Sequence, residues 1–268
     1  MKIYITSDIE GSCGYTIHEE GHKGTPNYPY FANQMALEAA ACARGAHNAG
    51  ADSILIHDAH DTARNIDPRL LPDYVDLMRR SYGDPYAMVS GMQLDKYDAF
   101  MMTGFHSWAG SKHLPASHTF TLNTTHLSVN DLPLSEFLFD TYSAAYLGVP
   151  TPFISGDENI CEFAETVVPG ITTVKAVKGI GCGSISRHPD VVIKEIEENA
   201  EKALSGNYKA CIPNLPKHFR FVVSFKDHMD ADFNSFYPGI ERVDDLTLAY
   251  EADDWYDILL MVHFVLDK

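Results

Sequence analysis

Apolar residues in this chain come in short runs that stop abruptly at polar ones. Ile3-Tyr4-Ile5 predicts a strand closing on the acidic turn Ser7-Asp8-Ile9-Glu10-Gly11. A stretch marked by glycine and proline follows to about Pro29. Residues 31–49, rich in Ala, Leu and Met, predict a helix with Gly50 as its stop. Ser53-Ile54-Leu55-Ile56 predicts a second strand, ending at His57-Asp58-Ala59-His60. The order strand, helix, strand predicts parallel pairing. Residues 61–97 carry weaker patterns, with Leu70-Leu71 and Tyr86-Ala87-Met88-Val89 as short elements. Ala99-Phe100-Met101-Met102-Thr103 predicts a third apolar strand, ending at Gly104-Phe105-His106.

Further along, Ser117–Leu122 and His126–Val129 predict two short strands, with Asn130-Asp131 as a turn signal. Leu134–Leu147 predicts a helix, and Pro152–Ser155 a strand closing at Gly156-Asp157. Residues 158–167 predict a helix, Ile171–Val177 a strand, and residues 189–204 an amphipathic helix. Phe219–Phe225 and Leu246–Tyr250 predict strands, and Asp253–Leu266 a final helix. The expectation is an α/β fold: a mixed, mostly parallel sheet flanked by helices, with a smaller C-terminal α+β region. Pro213 and Pro216 mark the boundary, giving a main α/β region over 1–212 and a smaller region over 213–268 packed on the same unit.

Composition narrows the function classes. With 268 residues and 45% hydrophobic content, the chain can bury a sizeable core without staples. The 37 acidic residues against 20 basic ones give a net charge of −17, which disfavours nucleic acid and anionic membranes as partners. Arg79-Arg80 is the only basic doublet. Five scattered cysteines without a C-x-x-C pair suit a reducing compartment. No secretory signal is visible, and no apolar run approaches membrane-spanning length. A cytoplasmic location is therefore expected.

The candidate chemistry lies where predicted strands end: Asp8 and Glu10, then His57, Asp58 and His60, then His106. In open α/β sheets, ligands bind outside the carboxyl ends of the strands. Asp8 and Glu10, two apart, can face one crevice. Carboxylates together with imidazoles suit zinc or a similar ion, and one carboxylate bridging two ions is a common device of hydrolases. Thirteen histidines also leave room for the plainer reading, in which strand-end histidines are structural.

Taken in order, Ser7-Asp8-Ile9-Glu10-Gly11, Asp58-Ala59-His60, Gly104-Phe105-His106, Ser117-His118 and Leu134-Ser135-Glu136 resemble the M55 metallopeptidases, the D-aminopeptidase family. Pro238-Gly239-Ile240-Glu241-Arg242-Val243-Asp244 looks like that family's late motif. The resemblance implies a dinuclear zinc site and a zinc-dependent aminopeptidase that removes N-terminal D-amino acids from short peptides. It also implies a ring-like homo-oligomer, with a decameric ring as its form and active sites facing an inner channel. Asp8 matches the bridging aspartate, Glu10 its companion, His60 and His106 the metal histidines, and Glu136 the late glutamate ligand. On its own, Glu136 reads as an ordinary solvated residue near a helix start. His118 matches the family's catalytic histidine; a proton donor or stabiliser, with metal-activated water as attacker, is the preferred chemistry. His113 reads as a loop histidine, and His57 and Asp58 as supports, with Asp58 fixing a ligand imidazole. Tyr28, Tyr30 and Phe31 read either as core or as an assembly surface.

Two readings compete with the aminopeptidase. One is a metal-dependent amidohydrolase or γ-glutamyl-type peptidase acting on cell-wall fragments. The other is a non-catalytic peptide-binding protein that keeps the fold. The chain also departs from the family: no arginine follows Asn27-Tyr28, and Gly179-Ile180-Gly181-Cys182-Gly183 stands where an arginine is common. That glycine run reads as a pocket wall or a tight turn, and Cys182 as a free structural cysteine.

Overall fold

In the computed structural model, which describes residues 1–266, Ile3-Tyr4-Ile5 lies in a strand, β1 (Lys2–Ser7). The chain then runs through α1 (Tyr28–Asn48), β2 (Ser53–Asp58), β3 (Val75–Arg79), β4 (Ala99–Phe105), β5 (Thr124–Val129) and β6 (Leu132–Pro133). It continues through α2 (Glu136–Tyr146), β7 (Phe153–Asp157), α3 (Glu158–Val167), β8 (Thr172–Ile180), β9 (Gly183–Ser186) and α4 (Pro189–Ser205). The tail adds β10 (Phe219–Phe225), α5 (His228–Asn234), β11 (Glu241–Arg242), β12 (Thr247–Ala252) and α6 (Trp255–Val265).

The main sheet has the order β3-β2-β1-β4-β7-β8-β9. Its strands pair in parallel except for the β8–β9 hairpin. After β1 the chain winds outward through β2 and β3. From β4 it winds the other way through β7 and β8. The winding reverses between β1 and β4, and such a switch point opens a crevice at the carboxyl ends of the strands. A second, antiparallel sheet has the order β11-β12-β10-β5-β6. It joins three strands of the tail to the β5–β6 hairpin of the first region.

The alternation along β1 separates two cores. Ile3 and Ile5 face one side, with Met35 of α1 and Ile196 of α4. Tyr4 faces the other, with Phe137 and Leu138 of α2, Phe221 of β10 and Trp255 of α6. The main sheet is thus covered on both faces, and every residue of β4 is buried, which explains its unbroken apolar run. Alanine-rich α1 starts with Pro29 in its first turn and stops where Gly50 takes a φ of +94°. Ser135 caps α2 by accepting the Leu138 N–H at 3.1 Å.

Most predicted elements are present, with one correction, and two looser readings take a definite form. Ser117–Leu122 is a loop, joined only by an isolated bridge between Thr119 and Thr121. Phe120 adopts a φ of +57° there, and its N–H goes to the Glu136 carboxylate rather than to a ladder. Within 61–97, β3 is a half-exposed edge strand without a full apolar face, and the two short apolar runs sit in or beside single 3₁₀ turns. The glycine run at 179–183 is the β8–β9 turn, where Gly179 packs against the His113 carbonyl, and Cys182 is exposed. Asn130-Asp131 forms the expected turn, both residues having positive φ.

Gly104 sets how closely β1 and β4 approach. Its φ is +73°, and an added Cβ would lie 2.1 Å from the Asp8 carbonyl. Gly104→Ala is therefore expected to cost at least about 2 kcal/mol, through left-handed strain and overpacking. Chemical denaturation measures this; an unchanged midpoint would contradict the packing described.

Candidate metal and catalytic site

Three strand ends and one helix start converge at the switch point. Asp8 follows β1, His60 lies just beyond β2, His106 follows β4, and Glu136 opens α2. The Asp8 N–H donates to the Thr103 carbonyl (2.9 Å), and the Ile9 N–H donates to Asp8 Oδ1 (2.8 Å). Asp8 Oδ1 lies 3.3 Å from His60 Nδ1, and Asp8 Oδ2 lies 3.4 Å from His106 Nε2. Glu10 Oε2 is 3.0 Å from the same His60 nitrogen. Glu136 Oε2 is 3.3 Å from the same His106 nitrogen. Asp8 thus links a Glu10–His60 half to a Glu136–His106 half.

Backbone carbonyls aim the two imidazoles. His60 Nε2–H donates to the Gly21 carbonyl (3.1 Å), leaving Nδ1 for the carboxylates. His106 Nδ1–H donates to the Ser107 carbonyl (2.9 Å), leaving Nε2. Asp157 holds Ser107 in turn, through its backbone N–H and its hydroxyl. Asp58 does not fix an imidazole. It accepts N–H groups from Asn65 and Ile66, while the Asn65 amide donates to the His60 carbonyl, so Asp58 anchors the loop after β2. His57 donates from Nδ1 to the Met88 carbonyl (2.7 Å). Glu136, solvated by its sequence context, is buried, and its Oε1 accepts the Phe120 N–H.

His118 stacks on His106, with ring centres 4.4 Å apart and planes 8° from parallel. Its Nδ1–H donates to the Ala116 carbonyl (3.0 Å), and Nε2 lies 3.8 Å from Glu136 Oε1. His113 is an exposed loop residue, as its sequence context implied. His18, which no sequence signal marked because it sits in an aperiodic stretch, meets the His118 ring edge-on at 5.1 Å. Ligating atoms of Glu10, His18 and His118 lie within 4.8 Å of one another, as do those of Asp8, Glu10 and His106, and of His106, His118 and Glu136.

This much buried charge moves protons. Desolvation, then the Glu10 charge, pushes the Asp8 carboxyl up to about 7. Burial opposes ionisation of Glu10 as well, yet the His60 charge holds it well below the usual carboxylate range. Burial also opposes charging of His106, but Glu136 raises it well above an ordinary imidazole. His118 moves the other way, lowered by burial and by the charge on His106. His18 falls to about 4 for the same kind of reason: burial first, then His118. Asp140, one turn after Glu136 and without a hydrogen-bond partner among the described residues, is pushed well up by desolvation and then by Glu136.

The donor set fits divalent cations. Asp8 Oδ2, Glu10 Oε2 and His106 Nε2 are buried without a hydrogen-bond partner among the described residues. Such orphaned atoms are costly unless an ion satisfies them. Two imidazoles and three carboxylates make a zinc-type set rather than an all-oxygen calcium or magnesium cage. The cluster floors a cavity of about 610 Å³, a size ordinary for small-molecule sites.

Glu38 of α1 supports the acidic turn from behind. Its Oε1 accepts the Cys13 N–H (2.9 Å) and the Gln34 amide (2.8 Å). Burial raises its carboxyl to about 7. Below pH 4.5, folded and unfolded chains both hold this proton and the burial costs nothing. Between 4.5 and about 7 the unfolded chain releases it first, so stability falls by about 3 kcal/mol in total. Glu38→Gln is expected to gain stability over the parent chain as pH rises through that window. A stability difference that stays flat from pH 4.5 to 7.5 would contradict the buried carboxyl.

Comparison with known proteins gives the family. The profile of the family Peptidase M55, D-aminopeptidase, matches residues 1–264. A D-aminopeptidase of Bacillus subtilis (strain 168) is 26% identical over 258 residues, covering 95% of this chain and 92% of that protein. The solved Zn-dependent D-aminopeptidase DppA from Bacillus subtilis, a self-compartmentalizing protease, superposes with a TM-score of 0.90 at 25% identity. That match covers 100% of this chain and 97% of the other. The chain belongs to the M55 peptidase family of D-aminopeptidases.

Proposed function

We propose that this chain is a zinc-dependent aminopeptidase releasing N-terminal D-amino acids from short peptides, with two zinc ions per subunit held by Asp8, Glu10, His60, His106 and Glu136. The carrying observation is Asp8, whose two carboxylate oxygens face two separate histidines with a glutamate on each side. Preference for D-residues follows the family. When bound, such ions polarise a scissile carbonyl and lower the pKa of water to about 7. His60 and His106 must give up their carboxylate-held protons to bind them, so loading strengthens as pH rises.

His118 is the proton carrier in this reading. The Ala116 carbonyl fixes its proton on Nδ1, so Nε2 presents a lone pair to the site. Burial and His106 keep the ring neutral at pH 7. Nε2 can accept a proton as the carbonyl is attacked and return it to the leaving amine. Glu136 stands close enough to stabilise the charged ring between the two transfers.

The relative's self-compartmentalizing character extends to this chain as a proposal: a closed homo-oligomer, a decameric ring being the expected form. Exposed apolar side chains support it. Phe236 is 86% exposed, with Met229 and Phe264 also open to solvent, an unusual display for a monomer. Of the aromatics at the start of α1, Tyr28 and Phe31 are core, and only Tyr30 is exposed. The substrates are then short peptides in a soluble compartment; among the described residues no helix is long and apolar enough to cross a membrane.

Zinc-loaded protein assayed on paired D- and L-aminoacyl amides tests the activity, with turnover of the D-series expected. Asp8→Ala should lose most bound zinc and nearly all turnover. His118→Ala should keep its zinc and lose roughly 10²–10⁴-fold in rate. Two full zinc equivalents in Asp8→Ala would remove the bridging role, and zinc loss in His118→Ala would make that histidine a ligand. Light scattering should give a mass many times the 29.8 kDa of one chain; a monomer would reject the ring.

A further inference from the structure

The chain's arginines divide into two groups. Arg44, Arg69, Arg187, Arg220 and Arg242 each pair with a carboxylate. Arg64, Arg79 and Arg80 have no such partner within 4.0 Å among the described residues. In a chain with 37 acidic and 20 basic residues, a guanidinium left without a carboxylate is unexpected, and three at one place more so. They are gathered there by contact: Arg79 Nη2 donates to the Arg64 carbonyl (3.4 Å). Arg64 and Arg80 line the same cavity as Asp8, Glu10 and Glu136.

The backbone that presents them is strained and pinned. Among the described residues, seven other than glycine have positive φ. Two of these, Asn130 and Asp131, make the β5–β6 turn. The other five, Asp61, Ala63, Arg80, Ala87 and Phe120, all line this cavity. Left-handed backbone away from glycine persists only where surrounding bonds enforce it, and it concentrates at ligand sites. Those bonds are present. The Ala63 N–H donates to the His60 carbonyl (2.7 Å), and the Arg80 N–H donates to the Ala63 carbonyl (3.0 Å). Arg64 and Arg80 are thus built onto the same frame that carries His60.

The cavity therefore has an acidic, metal-type floor and a wall with two guanidiniums free to take an anion. A short peptide has the opposite pattern: an amino group at one end and a carboxylate at the other. Arginine binds carboxylates through paired, geometrically specific hydrogen bonds. We propose that Arg64 and Arg80 form a subsite for the C-terminal carboxylate of the peptide whose first residue is cleaved at the Asp8 cluster. The assignment rests on the peptidase reading above.

Zinc-loaded protein tests this with D-alanyl-D-alanine and its C-terminal amide, which differ only at the carboxylate. The parent protein should favour the free acid by about 10- to 100-fold in kcat/KM, mostly through KM, the range expected for hydrogen bonds to a charged group. In the double variant Arg64→Gln, Arg80→Gln, the free acid should fall to the level of the amide. Arg80→Lys, which keeps the charge but not the fork, should retain part of the preference. Equal turnover of both peptides by the parent protein, or an undiminished preference in the double variant, would overturn the subsite alone. No turnover of either peptide would overturn the peptidase reading and the subsite with it.

Discussion

Everything at this site depends on one buried carboxylate. Asp8 is 2% exposed and faces an imidazole from each of its oxygens. Glu10 and Glu136 are buried beside it, and Asp140 lies behind. Like charges in a dry crevice cannot all stay ionised without cations among them. In the protein alone, protons on His60 and His106 supply that charge. Divalent cations would do so more fully, and Asp8 Oδ2, Glu10 Oε2 and His106 Nε2 stand there without a hydrogen-bond partner among the described residues.

The surrounding fold spends stability on holding this arrangement still. Gly104 lets β4 approach the backbone of Asp8, Glu38 supports the turn at Cys13, and Asp58 and Asp157 each secure the loop that carries one imidazole. None of these residues touches the two-carboxylate, one-histidine halves directly, except through backbone. The carboxylates of Glu38, Asp58 and Asp157 accept N–H groups and, at Asp157, the Ser107 hydroxyl, so these loops are fixed by hydrogen bonds outside the cluster. Metal ligands held through a second layer of bonds keep their orientation and basicity.

Neutral and charged histidines divide the labour. His60 and His106, beside carboxylates, are raised; His118 and His18 are lowered, by burial first and then by a neighbouring imidazole. Environment alone thus separates candidate ligands from a candidate proton carrier among four residues of one type. Arg64 and Arg80 line the same cavity, so cationic side chains stand in one cavity with the acidic cluster.

The sequence by itself determined β1, β2, β4, β7, β8, β10 and β12, because their buried runs are short and end in polar residues. It also placed Asp8, Glu10, His60 and His106, because side chains at strand ends in a parallel sheet must collect at one edge. It could not show Glu136 as buried, since the first turn of a capped helix usually favours a solvated acid, and only α2 packing over the crevice buries this one. His18 and Arg64 lie in aperiodic segments, where spacing carries no signal. The loop at Ser117–Leu122 alternates like a strand, yet the bonds from Ala109 N–H to Thr119 Oγ1, from Thr119 Oγ1 to the Leu134 carbonyl and from Phe120 N–H to the Glu136 carboxylate decided its path. Tertiary structure decided these cases because each depends on which distant backbone group a side chain meets. That information resides in the packing of β1 against β4 and of α2 across their ends.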